Sequence, residues 1–150
     1  MALEYRKATT GDLAKVFRNS DERLTAEYIT AGYNPRKVKD MFREWVVAGD
    51  AHALTYGGNP VAIIAWQTLD GEVYTSFAAT PEFFEKKFVR FSRRHIKQIQ
   101  VVHGNKPIVA VSYGTHPQLV RWFSLLGFQR DITQGPATLY KLSPAPNTAP

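Results

Sequence analysis

Thr115-His-Pro-Gln-Leu-Val-Arg-Trp-Phe-Ser-Leu-Leu-Gly-Phe128 follows directly on the strand-like run Ile108 to Tyr113. Pro117 suits the first helical position, where a missing N–H costs nothing, and Thr115 or His116 can cap the helix. Gly127 can take the left-handed conformation that ends it. The stretch therefore predicts a strand, a short capped helix and a Gly-Phe stop. Beyond it, Phe128 to Asp131 and Thr138 to Leu142 read as closing strands.

Upstream, Thr80-Pro-Glu82 opens what reads as the longest helix, with Thr80 as N-cap, Pro81 at the first position and an end near Val102. Phe84, Phe88, Phe91, His95 and Ile99 share one stripe, and Lys86, Arg90, Arg93 and Lys97 the opposite one, flanked by Lys87 and Arg94. A helical crossover of this kind places Ile108–Tyr113 parallel to the run Glu72–Ala79. Before it, Ala51–Tyr56, Val61–Thr68 and Glu72–Ala79 are separated by Gly57-Gly-Asn-Pro60 and Asp70-Gly71, the pattern of an antiparallel meander. Leu3–Ala8 alternates as a strand, and Thr9-Thr-Gly-Asp12 caps a helix through Leu13, Val16 and Phe17. Asp21–Thr30 is helical in pattern and Ala31-Gly-Tyr-Asn-Pro35 breaks it. Arg36–Val47 then carries Val38, Met41, Phe42 and Trp45 on one helix face.

The reading is thus one α/β domain over residues 1–142 with a mixed sheet in the order β-α-α-β-β-β-α-β-α-β(β), followed by a Pro-rich tail over residues 143–150. At 150 residues, 44% hydrophobic and 13% aromatic, the chain has ample material for one core. It has no cysteine, so disulfides, thiolate metal sites and a cysteine nucleophile are excluded, and its four histidines lack paired ligand spacing, so no metal is expected. The longest apolar run, Val61 to Trp66, is too short to span a bilayer, and Met1-Ala-Leu-Glu-Tyr-Arg6 has no signal-peptide core. The expected protein has no membrane insertion and is not secreted by a signal peptide. A net charge of +6 favours acidic partners: a CoA phosphate, nucleic acid or an acidic protein surface.

The Gly-Phe ending and the element order together resemble the GNAT (Gcn5-related N-acetyltransferase) fold. That resemblance implies acetyl-CoA between splayed fourth and fifth strands, with its pyrophosphate on backbone N–H groups at the start of the following helix. It assigns the backbone of Phe77, Ala78 and Ala79 to the pantetheine arm, Lys87 to phosphate, and His116 to the position of the asparagine that begins the family motif. The family signature Arg/Gln-x-x-Gly-x-Gly/Ala falls on Phe84, Lys87 and Val89, and its frequent tyrosine, the general acid toward the CoA thiolate, on Phe123. Phenylalanine has no proton to give, and Lys87 and Val89 obstruct the close backbone approach that glycine allows.

The sequence also resembles small GNAT-like proteins of short-tailed bacteriophages associated with the internal virion core. The shared features are the Ala31–Pro35 break, the Lys/Arg/Phe-rich third helix over Lys86–Lys97, and Thr115 with Arg121-Trp-Phe123 before the Gly-Phe stop. This implies a degenerate cofactor site and action mainly through binding, in virion assembly or host interaction, within host cytoplasm or virion. The basic face Lys86, Arg90, Arg93, Arg94 and Lys97 is the candidate contact surface for an acidic protein or virion component. The alternatives are an acetyl-CoA-dependent N-acetyltransferase on an unidentified amine and a nucleic-acid-binding protein, the last resting on charge alone. His95 reads as a hydrogen-bonded core histidine, and His52 and His103 as surface residues. Glu72 reads as a solvated strand-end glutamate, Tyr113 as a rim residue, and Trp45, Trp66, Phe77 and Phe91 as core.

Overall fold

The first helix starts at a reciprocal cap. The Asp12 N–H donates to the Thr9 hydroxyl at 3.1 Å, and the Thr9 N–H to the Asp12 carboxylate at 3.0 Å. Arg6 closes on the same carboxylate with two bonds of 2.9 Å, tying the first strand to the helix. The computed structural model describes residues 2–20, 26, 28, 29, 31–113 and 117–144. Its elements are β1 (Leu3–Lys7), α1 (Thr10–Arg18), α2 (Pro35–Ala48), β2 (Ala51–Tyr56), β3 (Asn59–Leu69), β4 (Glu72–Ala79), α3 (Val89–Val102), β5 (Ile108–Ser112), α4 (Pro117–Leu125), β6 (Gln129–Gln134) and β7 (Ala137–Leu142). Of the helical stretch expected over Asp21–Thr30, the described residues Ala26, Tyr28 and Ile29 are helical and the others lie outside the described residues. The expected cap residues Thr115 and His116 and tail residues 145–150 also lie outside them.

The seven strands form one mixed sheet in the order β1-β2-β3-β4-β5-β7-β6. The meander is antiparallel, and β5 lies parallel to β4 as the helical crossover requires. Alternation along the strands divides the core in two. Ala53, Ile63, Ala65 and Ala78 pack with Leu13, Val16, Val38, Phe42 and Val46 of α1 and α2. Leu54, Ile64, Val73 and Phe77 pack with Ile96 and Ile99 of α3 and Leu119 and Trp122 of α4. Trp45, Trp66 and Phe91 are only partly buried, packed against these clusters rather than enclosed by them.

At the C-terminus of α4, Phe128 N–H donates to Phe123 C=O and Gly127 N–H to Ser124 C=O, with Gly127 at φ +98°. This is the Schellman pairing that the Gly-Phe stop predicts. Arg93 Nη2 donates to the Leu125 carbonyl at 2.6 Å and satisfies another orphan acceptor of the same helix end.

The long helix expected from Pro81 is not continuous. Two 3-10 turns, Pro81–Phe84 and Lys86–Phe88, precede α3, and Glu85 between them is extended at φ −67°, ψ 149°. Thr80 makes no side-chain cap; its hydroxyl donates to the Val61 carbonyl instead. The cause is the density of phenylalanine: Phe83, Phe84 and Phe88 are all buried. Burying a side chain of that size contributes about 1.5–3 kcal/mol, more than the roughly 0.5–1.5 kcal/mol net of each helical hydrogen bond forgone.

Phe123 lies at the centre of the helix-side core, stacked on Tyr140 of β7 at 4.4 Å and 12°. Replacing it with Ala should cost about 3 kcal/mol or more and lower the melting temperature by roughly 10 °C. Thermal denaturation followed by circular dichroism measures this.

Candidate functional site: the fork between the fourth and fifth strands

β4 and β5 pair at only three positions, Val73↔Ile108, Tyr74↔Val109 and Thr75↔Ala110. Beyond them β4 stays with β3 as far as Ala79, while β5 stays with β7 through Ser112↔Thr138. The sheet therefore forks after Thr75, whose hydroxyl donates to the Val109 carbonyl at 3.3 Å across the last paired position.

On the α3/α4 face the fork is filled with aromatic rings. Phe77 lies 5.2 Å from Trp122 and 5.7 Å from Phe123, and Trp122 in turn lies 5.3 Å from Phe83 and 5.5 Å from Phe84. In the segment assigned to pantetheine, Phe77 and Ala79 are 8% and 0% exposed on this face, and Ala78, 5% exposed, packs on the opposite face with α1 and α2. Outside the cluster, a cleft of about 600 Å³ runs between the 3-10 turns and α4, lined by Phe84, Glu85, Lys86, Arg121 and Trp122 among others. Trp122 Nε1 is buried with no hydrogen-bond partner among the described residues.

The residues at the start of α3 do not fit a pyrophosphate. The N–H groups of Phe83, Glu85, Phe88 and Val89 donate to Thr80, Glu82, Glu85 and Lys86 carbonyls within the turns. α3 has no side-chain cap and no glycine at its start. Lys87 Nζ lies 3.4 Å from the Glu85 carboxylate, 3.9 Å from that of Glu82, and 4.4 Å over the Tyr56 ring. Its charge is balanced locally, beside two carboxylates that would repel a phosphate. His116 lies outside the described residues. Of the basic face, Lys86, Arg90, Arg94 and Lys97 project into solvent, whereas Arg93, though exposed, is engaged with the end of α4. Glu72 pairs with Lys141 at 2.9 Å.

On the opposite face the fork opens into a second, smaller cavity of about 200 Å³, with Ser76 and Val111 just beyond the last β4–β5 pair and Tyr28, Tyr33, Trp45 and Tyr113 around them. The three tyrosine rings lie 5.5–6.3 Å apart and the Tyr33 and Tyr113 hydroxyls are 3.3 Å apart. Burial, then the Tyr33 bond, pushes the Tyr113 phenol up to about 12, so it holds its proton at neutral pH. Sequence reading placed Tyr113 alone at a rim. The only signals for its partners were a tyrosine inside the Gly32–Pro35 break and another in the helical stretch before it, which no local pattern connects to β5.

The helix-side core holds one further polar contact. His95 is 3% exposed, and its Nε2 lies 3.0 Å from His52 Nδ1. His95 is thus the bonded core histidine that its stripe predicts, but His52 is half-buried against Trp66 and Tyr5 rather than a surface residue. His103 is partly buried too, bonded to the Ile99 carbonyl. Burial, then the neighbouring His52, lowers the His95 imidazole to about 3; burial, then His103 and Lys7, lowers His52. One of the two facing nitrogens donates the shared proton and the other accepts it, so at least one of the rings is neutral.

A His whose folded value lies below its unfolded value of about 6.5 stabilises the fold above that pH and loses that contribution as pH falls toward the folded value. Between pH 6.5 and about 3 the unfolded chain therefore binds more protons at His95. The stability of the native chain should fall on acidification through this window, by up to about 1.4 kcal/mol per pH unit for one proton. His95→Phe should flatten the fall, as urea denaturation at a series of pH values would show.

No protein-family model matches the chain, and no curated protein matches it in sequence. Solved structures do. The PaiA N-acetyltransferase of Thermoplasma acidophilum, in complex with coenzyme A, aligns with a TM-score of 0.73 at 14% identity, covering 95% of this chain and 99% of that one. YncA, a putative acetyltransferase of Salmonella typhimurium with acetyl-CoA, aligns at 0.67 and 16% identity over 100% and 98% of the two chains. N-acetylglutamate synthase of Neisseria gonorrhoeae, complexed with coenzyme A and N-acetyl-glutamate, aligns at 0.67 and 14% identity, covering 97% of this chain and 36% of that one. With its forked seven-strand mixed sheet, the chain has the GNAT acetyltransferase fold.

Proposed function

We propose that this GNAT-fold chain acts by binding a partner, its cofactor cleft closed by its own side chains, in the virion-assembly or host-interaction setting of the phage proteins it resembles. The observation that carries the reading is the burial of Phe77 beneath Phe84, Trp122 and Phe123. A pantetheine arm laid along that strand would have to displace packed aromatic rings, each worth several kcal/mol on removal (about 3–5 for Phe or Trp to Ala). The pyrophosphate position adds to this: the N–H groups of Phe83, Glu85, Phe88 and Val89 bond within the turns, and two glutamates stand beside Lys87. Phe123 offers no acid, and the phenol at the fork, Tyr113, is a weak one.

The contact surface in this reading is Lys86, Arg90, Arg94 and Lys97, which share a stretch with no acidic residue from Lys86 to Val102. Such a face attracts an acidic protein surface and speeds encounter with it. No described helix is long and apolar enough to cross a membrane.

A second reading, acetyl-CoA-dependent N-acetyl transfer to an amine, has specific support. The structural neighbours hold coenzyme A or acetyl-CoA, the fork is present, and Trp122 Nε1 is a buried donor without an acceptor beside the cleft. Calorimetric titration with coenzyme A and with acetyl-CoA separates the two. We expect no saturable heat up to millimolar ligand. Micromolar binding that weakens in Trp122→Phe would instead establish the transferase reading. Nucleic-acid binding, a third reading, would show as duplex affinity falling steeply with salt; the binding-protein reading expects none at physiological ionic strength.

A further inference from the structure

The cavity on the α2 face of the fork has a chemistry of its own. It is lined by the electron-rich rings of Tyr28, Tyr33, Trp45 and Tyr113 together with Phe42 and aliphatic side chains, and apart from the tyrosine hydroxyls and the Trp45 indole its polar lining is the neutral pair Gln67 and Ser76. The tyrosine rings are not parallel: Tyr28 and Tyr33 meet at 82°, Tyr28 and Tyr113 at 54°, and Tyr33 and Tyr113 at 57°. Three mutually inclined rings make a corner rather than a stack. The Tyr33 and Tyr113 hydroxyls face each other at 3.3 Å, which fixes two of the rings against one another. No Asp, Glu, Lys or Arg is among the described residues that line the cavity.

At about 200 Å³ the space is below that of a drug-sized ligand and suits one small head group or side chain. The negative faces of aromatic rings attract cations, best those that are weakly hydrated. A primary ammonium gives up strong hydration on entry and would need a carboxylate in exchange, which the lining lacks. A quaternary or fully methylated ammonium gives up far less. We infer that the cavity formed by Tyr28, Tyr33, Trp45 and Tyr113 is a binding site for a quaternary ammonium group, such as a choline head group or a trimethylated lysine side chain. The site lies across the sheet from the aromatic cluster around Trp122, so occupancy does not depend on whether the cofactor cleft opens.

Three probes that differ in charge and hydration test this on the whole chain by isothermal titration: choline, ethanolamine, and the neutral isostere of choline in which carbon replaces nitrogen. Choline should bind saturably at millimolar concentration or below, with the isostere and ethanolamine each about tenfold weaker. Tyr113→Phe should keep most of the choline affinity, because the ring face remains, and Tyr113→Ala should lose it. Equal binding of choline and its isostere would overturn the assignment in favour of a merely apolar pocket. Tighter binding of ethanolamine, or no saturable binding of choline, would overturn it as well. Should Tyr113→Ala fail to fold, the ranking of the three probes on the unmodified chain decides the question.

Discussion

The structure turns on the early parting of β4 and β5. After three paired positions, two strand pairs, β3–β4 and β5–β7, leave each other at Thr75 and Ala110. An unfilled wedge in a core is costly, roughly 24 cal/mol for each Å³ left empty. A protein with this topology must therefore fill the wedge with a ligand or with its own side chains. Here Phe77 supplies a ring from the strand, Phe83 and Phe84 supply rings from the turns, and Trp122 and Phe123 supply rings from α4. Edge and tilted contacts at 5–6 Å make such a cluster more stabilising than burial alone. In the binding-protein reading, this is the volume a cofactor arm would take. The double 3-10 turn is a further result, since it brings Phe83 and Phe84 inward.

Much of this could be read in the sequence because it is written in local chemistry. The capping residues Thr9 and Asp12, the turns at Gly57-Gly58 and Asp70-Gly71, and the Gly127-Phe128 stop each act within a few residues, and each element lies where those signals place it. The absence of glycine at Lys87 and Val89, and of a hydroxyl at Phe123, could likewise be read directly. The break at Glu85 was hidden. Helix periodicity continues through it, and only the three-dimensional demand of Phe83, Phe84 and Phe88 for one core overrides it. Arg93 was hidden for a similar reason: its spacing puts it on the basic stripe, but the carbonyl it satisfies is 32 residues away. The His52–His95 pair spans 43 residues and the Tyr33–Tyr113 pair spans 80, distances at which no sequence pattern carries information.

Ion pairs also change the meaning of the net charge. Arg6 is held by Asp12, Lys87 by Glu82 and Glu85, and Lys141 by Glu72. The more exposed pairs at Lys87 and Lys141 add little stability, at most about 1 kcal/mol each, but all three sets remove cations from the long-range field. Arg90, Arg94 and Lys97 remain exposed on α3, with Lys86 exposed in the 3-10 turn before it. Arg90, Arg94 and Lys97 follow one another at about one helical turn, roughly 5 Å, so each neighbouring pair acts within the Debye length of about 8 Å.

Phe123 shows why, in the proposed reading, a tyrosine acid is not restored by one substitution. It stands where the GNAT resemblance places a tyrosine acid, yet it is 2% exposed and lies flat on Tyr140 at 4.4 Å, with Trp122 and Phe128 against its other sides. A hydroxyl added to that ring would have to be stripped of water and given room in a core already closed. Overpacking of this kind costs typically about 1–3 kcal/mol before any unpaired oxygen is counted. To serve as an acid the group would also need to face an open thioester, which requires Phe77 and Trp122 to move apart. In the proposed reading the acid, the cleft and the phosphate cradle are thus coupled through one aromatic cluster, and each of the three holds the other two in place.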